Sequence, residues 1–137
     1  MTDDVAHWLV PYSSAITALG TLSVVMLVQL LIADVTGIRQ RHTPGSPVDA
    51  DHNSILFRVT RTVANTNESI AIFICALLFC MLVAAHPTYT GYAAWTFVIA
   101  RIVYAGCYYS NQQLLRSSVF GLSLLALAGL MVLGFIA

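Results

Sequence analysis

The sequence predicts an all-α membrane protein, a bundle of four transmembrane helices running up, down, up and down. Three observations predict it. Hydrophobic residues make up 58% of the chain and charged residues 9%, where a soluble domain carries roughly 25% charged residues. So few charges cannot build a water-facing surface, and the solvent they imply is lipid. Four stretches are long enough to cross a hydrocarbon core of ~30 Å at ~1.5 Å per residue. The connections between them, one excepted, are short enough to force neighbouring helices antiparallel. The length of 137 residues suits one domain, 1–137, and not two.

The first span is predicted over 8–33, with Pro11 in its opening turn, where a missing amide donor is tolerated. Before it, Asp3 and Asp4 stand where a secretion signal carries positive charge, so a cleaved leader is not expected. Residues 34–53 hold two prolines, two glycines and three aspartates, and read as a polar loop. The second helix is predicted over 54–85, polar at first and apolar from Ile70. HPTYTG at 86–91 reads as a tight turn, and the third helix follows over 92–110. NQQLLR at 111–116 reads as another turn, before a fourth helix over 117–136. All four are helices because an open strand would leave backbone groups unpaired in lipid.

Arginine placement predicts orientation. Arg39, Arg41, Arg58, Arg61 and Arg116 fall on or near the first and third loops. An excess of arginine marks cytoplasmic loops, so both loops are expected in the cytoplasm and both termini outside. Trp8, Tyr12, Tyr89, Tyr92 and Trp95 fit an aromatic belt on the outer side. In the first span, Ser13, Ser14, Ala15, Ala18 and Gly20 would let a neighbouring backbone come close. Gln29, its one strong polar group, is expected to bond across helices.

Several function classes are disfavoured. The formal net charge is zero, whereas a nucleic-acid partner would call for a basic stripe. Cys75, Cys80 and Cys107 are odd in number and lie in apolar runs, so they read as small buried hydrophobes. The four histidines have no metal-ligand spacing. No phosphate-binding loop or nucleophile elbow is present. A channel or transporter has little support, since the hydropathy shows neither a repeat nor a broken helix pair.

What remains is a polar stripe inside the membrane. Arg58, Arg61, Asn65 and Glu68 fall at i, i+3, i+7 and i+10, on one face of the second helix. Arg101, Tyr104, Tyr108 and Gln112 fall at i, i+3, i+7 and i+11 on the third. Arg101 lies about 16 Å of helix from the third loop, near mid-membrane. An unpaired arginine there costs roughly 2.5–3.5 kcal/mol, and Glu68, the one acid within the apolar helices, is its expected partner. Polar groups can simply hold helices together, but that role needs one or two of them, not eight along two stripes. Guanidinium groups grip carboxylates, a glutamate suits an ammonium, and tyrosines offer hydroxyls and ring faces. The set fits a small zwitterion with more acid than amine, beside an apolar second substrate admitted from the lipid side.

The run Arg58-Val-Thr-Arg61-x-x-x-Asn65-x-x-Glu68 resembles the signature of the MAPEG family, membrane-associated proteins in eicosanoid and glutathione metabolism. Arg101-Ile-Val-Tyr104-x-x-x-Tyr108, followed by Leu115-Arg116, resembles the family's second conserved region. The resemblance covers nearly the whole chain. It implies a homotrimer with glutathione sites between subunits, open to the cytoplasmic side. Arg58, Arg61, Asn65, Glu68, Arg101, Tyr104 and Tyr108 would bind or frame glutathione as co-substrate. Arg116 and Tyr108 would act on its sulfur, Arg116 stabilising the thiolate that attacks a lipophilic electrophile.

The chain also departs from the pattern. Ser69 stands where the leukotriene-synthase-like members have a tyrosine, and Ile70 and Ala71 where many have an aromatic residue and a proline. Arg116 lies one residue farther from Arg101 than in that branch, and Asp34 stands where those relatives tend to carry arginines. Two readings follow. One is a membrane-bound glutathione transferase, with peroxidase activity towards lipid hydroperoxides. The other is a non-catalytic module of the same family that binds a membrane lipid or a partner protein.

Overall fold

The computed structural model describes residues 7–137; Asp3 and Asp4, used above to argue against a leader, lie outside the described residues. Four α-helices form an all-helical bundle: α1 (Ser13–Arg39), α2 (Ile55–Leu82), α3 (Pro87–Tyr109) and α4 (Gln113–Phe135). A 3-10 turn at Val10–Tyr12 carries Pro11 and leads into α1. Ser54 caps α2, its hydroxyl accepting from the Phe57 amide at 3.5 Å. Pro87 opens α3 at its first helical position.

Cross-helix contacts order the ends. The Tyr12 hydroxyl donates to the Ala85 carbonyl, tying the start of α1 to the end of α2. Gly91, in the first turn of α3, backs onto Ser14, where an added Cβ would stand 3.1 Å from the serine Oγ. The Cys80 thiol of α2 donates to the Leu130 carbonyl of α4 at 3.0 Å. Helix starts and ends thus alternate at one end of the bundle, the up-and-down topology expected. The main core lies at that end. It gathers Ala15, Ala18 and Leu22 with Phe73, Leu77, Phe97 and Leu127, and the Phe73 and Phe97 rings stack at 4.5 Å. A smaller apolar cluster of Ala33, Leu56 and Val59, with Tyr109 packed on it, closes the other end.

Three of the helices are long and apolar enough to cross a membrane: the segment His7–Arg39, α2 and α4. The α3 helix is not apolar enough alone. It carries the polar groups, and its inner face, including Arg101, Tyr104 and Tyr108, is buried against the other three helices. Packing by its neighbours replaces the apolar surface that α3 lacks.

Several local expectations are corrected. The α1 helix runs six residues beyond 33 and takes in Asp34 and Thr36, whose hydroxyl donates to the Ile32 carbonyl at 2.7 Å. The α4 helix begins at Gln113, so Arg116 lies in a helix and not in the preceding turn. The turn expected at 86–91 is mostly the first turn of α3. Tyr12 is buried and points into the protein, outside any lipid-facing belt, whereas Tyr89 and Tyr92 are exposed. Cys75 is exposed, unlike buried Cys80. Of the small residues on α1, Ala15 and Ala18 are fully buried, while Gly20 has nothing near it.

The C-terminal ends of α1, α2 and α3 share one device. The residue after each cap sits in the left-handed region: Arg41 (φ 53°), Ala84 (φ 56°) and Asn111 (φ 58°). One residue later, an amide bonds back to the last turn: His42 to Gly37 at 3.0 Å, Ala85 to Cys80 at 2.9 Å and Gln112 to Cys107 at 2.8 Å. These are Schellman ends, where glycine is the usual left-handed residue. Ala84→Gly should therefore raise stability by about 1 kcal/mol, read as a higher unfolding midpoint in mixed micelles.

Candidate functional site

The two polar stripes meet between α2, α3 and α4. Arg101 is fully buried. Its Nη2 donates to the Asn65 backbone carbonyl at 2.6 Å and to Asn65 Oδ1 at 2.7 Å. Rings surround the guanidinium, with Tyr104 at 5.1 Å, Phe97 at 5.8 Å and Phe120 at 5.9 Å from its carbon, within cation–π range. Its Nε and Nη1 have no acceptor. The partner expected for Arg101 was Glu68, and the structure corrects this. Asn65 lies one turn nearer along α2 and offers two neutral acceptors, so no carboxylate has to be buried.

Glu68 turns outward. Its carboxylate meets Arg61 Nη1 at 3.7 Å, the one ion pair among the described residues, with the two side chains 61% and 43% exposed. The Asn65 amide donates to the other Glu68 oxygen at 3.5 Å. A single polar chain thus runs Arg101–Asn65–Glu68–Arg61, from the bundle interior to the surface of α2. Arg58 stands apart from it. Its Nη1 donates to the carbonyls of His52 at 2.7 Å and Asn53 at 2.9 Å, pinning the end of the first loop to α2.

The tyrosines follow on α3. Tyr104 and Tyr108 are buried, with ring centroids 5.5 Å apart and edge to face. The Arg116 guanidinium lies 4.5 Å above the Tyr108 ring. A cavity of about 160 Å³ opens between Asn65, Tyr104, Arg116, Ser117 and Phe120. Arg116 sits in the first turn of α4, which has no side-chain cap. A cation there opposes the helix dipole, and uncapped amides point the same way. The position is poor for helix stability and well suited to an anion.

Of the predicted site residues, Asn65, Tyr104 and Arg116 line this cavity. Tyr108 touches it through Arg116 and Tyr104, and Arg101 supports it from behind. Arg61 and Glu68 lie on the adjoining surface of α2, and Gln112 is exposed at the start of α4. Three neighbours were not anticipated. Phe120 and Ser117 join from α4; Phe120 falls at i+4 from Arg116, a spacing that could have flagged it. His52 stacks on Tyr108 at 6.2 Å and meets Phe57 edge-on at 5.0 Å. It comes from an irregular loop, where no periodicity announces a side chain's direction.

A family model described as "MAPEG family" matches residues 15–136. No curated protein matches.

Proposed function

Because the chain belongs to the MAPEG family, we propose that it is a membrane-bound glutathione transferase whose thiolate attacks a lipophilic electrophile. That family's activities lie in glutathione-related transfer and eicosanoid metabolism. The observation that carries the proposal is the convergence of Arg116, Tyr104 and Asn65 on one cavity, with the Arg61–Glu68 pair exposed beside it. In this reading Arg116 holds the sulfur as thiolate and Tyr108 hydrogen-bonds near it. Arg61 takes a carboxylate, Glu68 takes the ammonium, and Arg58 frames the mouth by holding the end of the first loop to α2. Arg101 frames the site by fixing Asn65 and Tyr104. In transfer, the thiolate forms a bond to the electrophilic carbon while that carbon's bond to its leaving group breaks, and the group departs with the electron pair as an anion: a halide from an aryl halide, or an alkoxide that takes a proton from water when an epoxide opens. In peroxidase turnover, two glutathiones give up two electrons and two protons, leaving a disulfide, an alcohol and water.

The cavity within one chain is smaller than the roughly 300 Å³ at which small-molecule sites begin, and a tripeptide needs more. Glu68 also lies about 20 Å along α2 from its first residue, too deep for a half-exposed carboxylate to face acyl chains. Both points support assembly with a second copy that completes the cradle and covers the ion pair, and the family resemblance makes that assembly a homotrimer. They also support an aqueous mouth on the cytoplasmic side, where the arginine-rich loops would lie. The test is equilibrium dialysis of glutathione against the purified protein. Binding should be measurable at millimolar concentration and weakened at least tenfold in Arg61→Ala, the effect of losing one bidentate carboxylate contact of ~1.5–3 kcal/mol. No binding at that concentration rules the reading out.

One observation favours the non-catalytic alternative. The Ser69 hydroxyl donates to the Thr66 carbonyl of its own helix at 3.1 Å, so the position that carries a tyrosine in some relatives offers the cavity nothing. A phospholipid co-purifying in the cleft, with no turnover of chlorodinitrobenzene or cumene hydroperoxide, would establish that alternative.

A further inference from the structure

The outer face of α2 is not built for lipid. Thr60, Ala64, Asn67 and Ala71 fall at i, i+4, i+7 and i+11, on one face, and all four are exposed or half-buried. By contrast, α4 exposes Leu122, Leu124 and Leu125. Asn67 stands about 18 Å along α2 from its first residue, with Glu68 next to it, so both lie deep in the span. A carboxamide and a carboxylate turned to acyl chains at that depth are costly. Even in its ion pair the Glu68 side chain stays 61% exposed. The two polar groups also flank the small residues. At about 100° of turn per residue, Glu68 points to the edge that carries Arg61, and Asn67 to the opposite edge, beside α1. There Asn67 borders a hollow of about 170 Å³ with Met26, Leu27, Leu30 and Val63. That is below the size of a small-molecule site and leaves room for a side chain.

We propose that a second copy of the chain docks on this face of α2, and that the partner's Asn67 donates to the Glu68 carboxylate, which makes Asn67 a positioning residue of the Arg61–Glu68 site. One edge of the face offers amide donors and the other offers carboxylate oxygens at the same depth. The contact is therefore head-to-tail: each copy gives Asn67 on one side and receives it on the other. Such contacts close into a ring around the small face, where Ala64 and Ala71 let backbones come close. Within its own chain Asn67 cannot serve Glu68, because adjacent residues of a helix do not face each other. Arg61 holds one Glu68 oxygen at 3.7 Å and the Asn65 amide reaches the other at 3.5 Å. A third donor, from the partner, fixes the carboxylate's direction and leaves its charge intact for a cation. The positioning role rests on the reading above, in which Glu68 takes the ammonium of glutathione; the docking does not.

Docking and positioning are tested separately, on the full chain in nanodiscs. For docking, Asn67→Cys and Glu68→Cys are placed on differently tagged chains and coexpressed, in a Cys75→Ser background because Cys75 is exposed on the same helix. Oxidation should link chains of opposite tag far more than it links either variant alone, or Leu125→Cys on the exposed face of α4. Linking no greater than that of Leu125→Cys would overturn the docking. Equal linking by Asn67→Cys alone would overturn its head-to-tail sense. For positioning, equilibrium dialysis should show glutathione bound about fivefold more weakly by Asn67→Ala, the factor one net hydrogen bond supplies. Binding of N-acetylglutathione, which lacks the ammonium, should not change. Coexpressed Asn67→Ala and Arg61→Ala chains should regain full affinity at about a quarter of their sites, because a head-to-tail site draws on two copies. Unchanged glutathione binding in Asn67→Ala, an equal loss for N-acetylglutathione, or no full-affinity sites in the mixture would overturn the positioning role. If the unaltered protein binds no glutathione, that role falls with the reading it rests on, and the cysteine linking still decides the docking.

Discussion

Asn65→Leu is expected to destabilise the folded protein by about 2–3 kcal/mol, the cost of leaving a buried charged donor short of an acceptor. Arg101 has no exposed surface, and Asn65 supplies both of its hydrogen-bond acceptors. The substitution removes Oδ1 and keeps the backbone carbonyl. The guanidinium is then held by one hydrogen bond and by rings at 5.1–5.9 Å, in a layer where water cannot compensate. Arg101→Met should cost less, about 1–2 kcal/mol, because it removes the charge and leaves Asn65 its contact with Glu68. The double variant should be more stable than the sum of the single effects predicts, with a coupling of about 1–2 kcal/mol. Unfolding titrations in mixed micelles measure all three. Additive effects would mean that the contact contributes no stability, and the account of Arg101 as the fixed point of the polar chain would fall.

The contrast between Arg101 and Glu68 shows which part of the site was legible. Periodicity placed Arg58, Arg61, Asn65 and Glu68 on one face of α2 and Arg101, Tyr104 and Tyr108 on one face of α3; the α3 face turns inward, while on α2 Asn65 is buried and Arg61 and Glu68 are exposed. Which group would meet which was not legible. An opposite charge is the natural guess for an arginine, yet a carboxylate brought to Arg101 would have to leave water too. Asn65 meets the same need with neutral atoms, and Glu68 keeps the more exposed partner, Arg61. The first loop was opaque for a different reason. Arg58 spends its guanidinium on the carbonyls of His52 and Asn53, and such loop closures follow no period.

The helices themselves were legible because hydropathy dictates them, while their ends were not. Glycine is the usual sign of a left-handed cap. Here Arg41, Ala84 and Asn111 fill those positions, so no glycine marked where α1 stops, and α4 began early at Gln113 with no side-chain cap to announce it. That shift matters for chemistry. It moved Arg116 from a loop, where a guanidinium is free to turn, onto the first turn of a helix and over the Tyr108 ring.

From that position Arg116→Ala is expected to lower the rate of glutathione transfer by about 10²-fold near neutral pH, the scale of removing one preorganised anion donor. The sign of the pH dependence follows from the charge. A free thiol ionises near pKa ~8.5, and a guanidinium favours the thiolate and lowers that value. Removing it moves the rise of rate with pH upward, so the deficit should be largest near neutrality and shrink above pH ~8.5 as the thiol ionises unaided. Thiolate absorbance of bound glutathione should move by the same amount, which separates loss of ionisation from loss of binding. Arg116→Lys keeps the charge but not the planar fork or its stacking on Tyr108, and should fall between. If Arg116→Ala lowered the rate equally at every pH with the thiolate signal intact, Arg116 would be holding the peptide in place. Ionisation of the sulfur would then rest on the uncapped amides at the start of α4.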